Sequence, residues 1–270
     1  MSSSGEGAGE GAGEGAGRSG EGSARPQTPG DFGLAPELAA AGFNVAGVLG
    51  IERYDALVPP AWRSEELLPG ARLVVVLGCG GRAFGEAFSS SAEAQAPQHP
   101  VDRFTARVVS GSVASLGESA AGEAAARSLF YWEQRGGDFV DFVALGQAVG
   151  LGAPGRLGLL LHPVYGPWLS LRAAIITSLA LPPARPMADF APCAHCPAPC
   201  AEACPGDAVA LAGFDAAACA RTTRVNAACA SRCAARHACV IGREHAYAPA
   251  VEARFRAAAI AYPASRASRE

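Results

Sequence analysis

Eight of the nine cysteines in this chain of 270 residues fall between Cys193 and Cys239, and whatever those thiols bind must organise the fold around them. The first four read Cys193-Ala194-His195-Cys196-Pro197-Ala198-Pro199-Cys200-Ala201-Glu202-Ala203-Cys204-Pro205, and the rest are Cys219, Cys229, Cys233 and Cys239. Thiolates this dense, with proline directly after the fourth, are the arrangement that holds iron–sulfur clusters. Eight is also the number that two 4Fe–4S clusters require at four thiolates each. The spacing of the first run is C-x2-C-x3-C-x3-C-P, one residue longer in its second gap than the bacterial ferredoxin run. The second half is looser, Cys229-x3-Cys233-x5-Cys239, and Val240 stands where a proline would be.

Thiolates are soft ligands, so other occupants remain open. Zinc is one, because His195, His237 and the cysteines suffice for two tetrahedral sites. A disulfide framework and a single cluster with a structural second half are others. The chain opens Met1-Ser2-Ser3-Ser4-Gly5-Glu6, with neither a basic start nor an apolar stretch, so no secretory signal is read. No run of 18 apolar residues exists, so no membrane span and no membrane partner are expected. A cytoplasmic, reducing location follows as an expectation, and there clustered cysteines serve as metal ligands in preference to disulfides.

Half the residues are hydrophobic and 17% are charged, enough for a sizeable core. Residues 1–30 are read as a disordered Gly/Glu/Ala tail, since Gly-Glu-Gly-Ala recurs with almost nothing apolar to bury. Residues 31–181 read as an α+β cofactor-binding domain with a mixed sheet and helices. A stiff proline-rich linker over 182–187 follows, then an iron–sulfur, ferredoxin-like two-cluster module over 188–247, then a C-terminal helix and tail over 248–270. Within the first domain, helices are expected over 36–41, 101–116 and from 139 onward. Strands are expected over 43–49, 72–77, 157–161 and 168–181, the last two joined by a turn at 162–167.

Between Cys219 and Arg243 lie Arg221, Arg224, Arg232, Arg236 and Arg243, with no Asp or Glu. In a chain of net charge −3 this is a local basic patch. It suits raising a cluster's potential, docking an acidic electron donor such as a flavodoxin or ferredoxin, or meeting RNA phosphates; arginines packed on nearby carbonyls are the plainer reading. Gly78-Cys79-Gly80-Gly81-Arg82-Ala83 fits a dinucleotide fingerprint only loosely and reads as a turn at a strand end. Cys79 is expected to be small and buried, His99 and His245 to be lone hydrogen-bonded histidines, and Tyr131-Trp132 to be core or a cofactor wall.

Gly150-Leu151-Gly152, Gly155-Arg156, Tyr165-Gly166-Pro167-Trp168 and the cysteine run follow one another in an order and spacing that resembles the epoxyqueuosine reductase family. Leu68-Pro69-Gly70-Ala71-Arg72 and the lone Cys219 add to the resemblance, which covers about residues 32–245. The turn from His162-Pro163 to Trp168 is also similar to that of B12-processing reductases. The resemblance implies a nitroreductase-like domain and two 4Fe–4S clusters. It also implies a cobalamin between domain and module, lined by Gly150, Gly152, Gly155, Arg156 and Trp168, and a modified base of a tRNA as substrate. By ferredoxin analogy it groups Cys193, Cys196, Cys200 and Cys239 in one set, and Cys204, Cys219, Cys229 and Cys233 in the other. The family's acidic proton donor stands in a Val-Asp-Thr-Ala-Pro stretch whose matching position here is Gly136. Asp138 and Asp141 are the nearest carboxylates, and either becomes a general acid only if burial raises its pKa. A helical-repeat tail that many members carry is not expected. An electron carrier without a reaction of its own, or a corrinoid-reducing partner, is the alternative function; a zinc-stabilised binding module is the third.

Overall fold

The structure, a computed structural model, describes residues 26–34, 36–119, 126–181 and 190–261. The expected linker and nearly all of the Gly/Glu tail lie outside the described residues. The chain is already engaged at Gln27, whose carbonyl accepts the Ala46 amide, and Pro29 and Phe32 are buried.

In order, the elements of the first domain are α1 (Pro36–Ala40), β1 (Val45–Gly50), α2 (Ile51–Asp55), α3 (Ser64–Leu67), β2 (Leu73–Gly80), α4 (Ala83–Ser89), α5 (Pro100–Ser119), β3 (Ala126–Phe130), α6 (Phe142–Ala148), β4 (Ala153–Pro154), β5 (Leu160–Leu161) and β6 (Leu169–Thr177). The cysteine-bearing part follows as α7 (Pro199–Glu202), β7 (Val209–Ala210), β8 (Gly213–Phe214), α8 (Ala216–Val225), α9 (Ala227–Ser231), α10 (Ala234–Ala238) and α11 (Pro249–Ala261). The expected mixed sheet is instead antiparallel at all three of its pairings, in the order β1-β2-β6-β3. None of the described helices is long and apolar enough to cross a membrane.

Both faces of this sheet are covered, which explains why β2 and β6 read as near-continuous apolar runs. Val75, Leu77, Ala173 and Ile175 point into one core with Leu38, Phe84, Phe88 and Phe104. Their neighbours Val74, Val76, Ala174 and Ile176 point into a second core with Tyr54, Trp62, Phe142 and Leu145. Each valine, leucine, isoleucine or phenylalanine among them contributes roughly 1.5–3 kcal/mol of burial. A third, smaller core joins Leu157 and Leu161 of the domain to Cys200, Val209, Ala235 and Cys239.

Where β2 and β6 pair, the register shifts between Leu77 and Gly78, leaving Arg172 without a partner residue on β2. Its side chain is buried, its guanidinium lies 4.9 Å from the Phe84 ring centre and 5.1 Å from that of Phe255, and its Nε finds no hydrogen-bond acceptor among the described residues. Phe255 belongs to α11, so this bulge ties the C-terminal helix to the sheet.

Candidate metal centre

Cys193, Cys196, Cys200 and Cys239 line a single cavity, closed on the domain side by Arg156, Leu157 and Leu161 and elsewhere by Pro192, Pro199, Val240 and Ile241. Cys200 reaches it from α7, where Pro199 supplies the first helical position and Ala198 takes the left-handed conformation that turns the chain into the helix. Cys239 arrives from the end of α10. Arg156 donates to the Cys196 carbonyl at 3.3 Å, and Arg243 donates to the Cys239 carbonyl at 2.8 Å. Both guanidiniums thereby fix the loops that present the thiols.

Burial pushes the Cys200 thiol above its ordinary range, and the neighbouring Cys239, Cys193 and Cys196 push the same way. Burial likewise raises Cys239; Cys193 and Cys196 add to it, against the Ile241 amide and Arg243, which lower it. The resistance of Cys200 and Cys239 to ionisation is one that a bound cation reverses, because metal binding requires and stabilises the thiolate.

In the second group, Cys219 and Cys229 flank Thr223, while Cys204 and Cys233 pack against the third core. The Thr223 hydroxyl stands 4.0 Å from the Cys219 sulfur and 3.8 Å from that of Cys229. Arg256 of α11 donates to the Cys229 carbonyl at 2.8 Å and approaches the Cys229 sulfur at 3.9 Å. Glu252, on the same helix and buried, accepts the Cys233 amide at 3.1 Å and pairs with His237 Nε2 at 2.7 Å. Burial leads the upward shift at Cys219, with Cys233 and Cys229 adding to it, while the Thr223 bond and Arg256 oppose it. Cys204 precedes a loop packed on α8: a Cβ at Gly206 would lie 2.0 Å from the Thr222 hydroxyl. His195, the other histidine of the zinc reading, is exposed. Among the described residues, no group of three or more His, Cys, Asp or Glu side chains is arranged to hold a single metal ion.

The two halves of the molecule meet at the turn before β6. A Cβ at Gly166 would fall 2.2 Å from the Ile241 carbonyl, and Gly166 has φ +54°, so only glycine fits there. Arg236 donates twice to the Pro167 carbonyl, at 2.9 and 2.5 Å, and lies 4.4 Å from the Trp168 ring centre and 4.8 Å from that of Tyr247. Beside it Tyr165 packs between His162, tilted by 39°, and His245, which it meets edge-on. His162 is buried, and its Nδ1 accepts the amides of Val164 and Tyr165. Desolvation, helped by His245, lowers its pKa to about 4, so the ring is neutral. Sequence reasoning passed over Arg236 as a latch and Glu252 and Arg256 as supports of the thiols. No motif marks them, and only the fold brings α11 against α9.

The residues implied as a corrinoid pocket pack closely against the protein around them. Gly150 ends α6 at φ +75°, a Cβ on Gly152 would meet the Leu161 carbonyl at 2.3 Å, and one on Gly155 would meet the Leu161 side chain at 2.6 Å. Trp168 is 1% exposed, enclosed by Arg236, His237 and Tyr247, and Arg156 faces the four-thiol cavity. Asp138 and Asp141 are both exposed, so burial, the condition for a general acid, is missing at each. Asp141 caps α6 by accepting the amides of Val143 and Ala144. The glycine loop at 78–83 ends β2: Gly80 exchanges hydrogen bonds with Asn44, and Arg82 holds the Ala246 carbonyl at 2.7 Å. Cys79 is buried there, and burial raises its thiol far above the usual range.

The geometry thus defines an antiparallel, helix-covered α+β domain carrying a docked thiol-rich piece. No protein-family profile matches the chain, nor does any curated protein sequence. Solved structures do match. An epoxyqueuosine reductase with an epoxyqueuosine-modified tRNA-Tyr stem loop superposes with TM-score 0.51 at 15% identity, over 80% of this chain and 66% of that one. The Caenorhabditis elegans B12-trafficking protein CblC gives TM-score 0.51 at 13% identity, over 82% and 87%. The catabolic reductive dehalogenase NpRdhA, in complex with 3-bromo-4-hydroxybenzoic acid, gives 0.50 at 17%, over 84% of this chain and 33% of that one. The chain spans just under two thirds of the reductase and one third of the dehalogenase. The expected resemblance holds at the level of fold: this chain has the fold shared by epoxyqueuosine reductases, a B12-trafficking protein and a reductive dehalogenase.

Proposed function

We propose that the chain is an iron–sulfur oxidoreductase whose C-terminal module passes electrons toward a cofactor held by the α+β domain. The observation that carries this reading is the cavity shared by Cys193, Cys196, Cys200 and Cys239 and walled by the domain's own Arg156, Leu157 and Leu161. The donor set suits a cubane: four cysteines line one cavity, the number of thiolates that a 4Fe–4S cluster takes. Cys193, Cys196, Cys200 and Cys239 would hold one 4Fe–4S cluster, and Cys204, Cys219, Cys229 and Cys233 a second. Such clusters supply one-electron transfer; Arg156, Arg243 and Arg256 anchor the loops around them, and the apolar wall excludes water.

Cobalamin is the cofactor class that the fold's neighbours suggest for the domain. Gly150, Gly152, Gly155, Arg156 and Trp168 are the residues that the resemblance would assign to it. One observation favours the second reading, an electron carrier without a reaction of its own: neither Asp138 nor Asp141 is placed as an acid. A tRNA substrate belongs to the reductase reading and stands or falls with it.

The test is anaerobic purification of the whole chain with iron, sulfide, zinc and cobalt analysis, followed by EPR after dithionite. About eight irons per chain are expected. Stoichiometric zinc without iron refutes the proposal. Hydroxocobalamin that leaves the spectrum of the iron-loaded protein unchanged removes the corrinoid and leaves the carrier.

A further inference from the structure

Of the five arginines that follow Cys219, the structure uses two internally. Arg236 holds the Pro167 carbonyl, and Arg243 holds those of Cys239 and Ala238. Arg221, Arg224 and Arg232 are exposed, and none makes a hydrogen bond or ion pair among the described residues. Arg221 and Arg224 ride on α8, two and five positions beyond Cys219. At about 100° per residue they fall roughly 200° and 140° round the axis from it, on the opposite side of the helix. Cys219 and Thr223 face the thiol group while the two arginines face out. Val225, beside Arg224 on that outer side, is 87% exposed. Arg232 ends α9, which packs against α8. One helix thickness therefore separates the second thiol group from a cationic face with an apolar residue in it, in a chain whose net charge is −3.

We infer that this face is the docking surface for an acidic protein that donates single electrons to the module. The inference rests on the iron–sulfur reading and names the partner class for it. Charge complementarity selects the occupant: a positive surface steers and registers a negative partner, and an apolar spot amid charges is the usual centre and rim of a protein interface. The patch carries none of the aromatic side chains on which single-stranded RNA bases stack, which favours protein over RNA. Each transfer moves one electron from the partner's reduced centre to an oxidised cluster. With a flavin donor, the two-electron-reduced anionic flavin becomes its one-electron-reduced neutral form, and no proton changes hands.

The experiment uses the full-length, iron-loaded protein and two variants, R221Q/R224Q/R232Q and R221E/R224E/R232E. Reduction is followed by stopped flow with reduced flavodoxin as the acidic probe and reduced methyl viologen as the small one. The Glu variant should be reduced by flavodoxin about tenfold or more slowly at low ionic strength, with the Gln variant between, and wild type alone should slow steeply with salt. Methyl viologen should reduce all three without loss of rate. Equal flavodoxin rates in wild type and the Glu variant overturn the inference. So does an unchanged flavodoxin rate with lost affinity for a tRNA stem loop, which would make the face an RNA site. Iron and sulfide are measured first: a wild-type chain without iron overturns the underlying reading and this inference with it, whereas unaffected rates in iron-loaded protein overturn this inference alone.

Discussion

Replacing Arg236 by alanine should loosen the cysteine module from the domain. The side chain gives the Pro167 carbonyl two hydrogen bonds and covers the faces of Trp168 and Tyr247. A hydrogen bond to a charged group is worth about 1.5–3 kcal/mol, and the two here share one acceptor, so they count as one such contribution. Each partly desolvated cation–π contact adds about 0.5–1 kcal/mol. Arg236→Ala should therefore cost about 3 kcal/mol, a large share of the roughly 5–15 kcal/mol that holds a typical domain. Arg236→Lys keeps the charge but not the planar fork, and should cost about half as much. Native-state hydrogen exchange on the metal-free chain reads this directly. Amides of α7–α10 should lose protection by the full amount, while those of β2 and β6, whose cores do not include Arg236, should lose little. Unchanged protection in α7–α10 would refute the claim that Arg236 is the latch, and uniform loss across β2 and β6 would refute its confinement to the seam.

Two further outcomes follow from buried groups. The unfolded chain takes up a proton at His162 near pH 6.5 that the folded chain refuses until about pH 4. Stability is thus fully present above pH 6.5, declines as pH falls toward 4, and loses about 3 kcal/mol over that window. Urea unfolding from pH 7 to 4.5 should show the slope, and His162→Asn, which can still accept the turn amides, should flatten it; an equal slope in the variant assigns the effect elsewhere. Arg256→Gln removes a positive charge beside the Cys229 sulfur, which disfavours the more negative reduced state of the second cluster. An EPR-monitored redox titration should show one midpoint potential lowered and the other unmoved; two unmoved potentials would refute the contact's role.

Much of the sheet was legible because β2 and β6 are buried on both faces and so carry unbroken apolar runs. β3 was not: Ala126-Arg127-Ser128-Leu129-Phe130 is an edge strand with buried side chains only at Leu129 and Phe130, too short a pattern to read. The helix expected from residue 139 begins at Phe142, because Asp141 takes the capping position and leaves Phe139 and Val140 outside. The strand expected over 157–161 shrinks to Leu160–Leu161, since Gly158 turns the chain with φ +67°. Crowded cysteines announced a metal site, but spacing alone could not say which thiols face one another. That depends on α10 folding back to α7 and on α11 closing over α9. The arginine patch was similarly ambiguous until two of its five members, Arg236 and Arg243, were seen on carbonyls.

The grip of α11 makes the second thiol group depend on a segment that follows it in the chain. Glu252 holds the amide of Cys233 and Arg256 holds the carbonyl of Cys229, each from about twenty residues downstream or more. The first cavity is presented by α7, the end of α10 and the wall of the domain, whereas Cys229 and Cys233 also rely on braces from the helix that follows them.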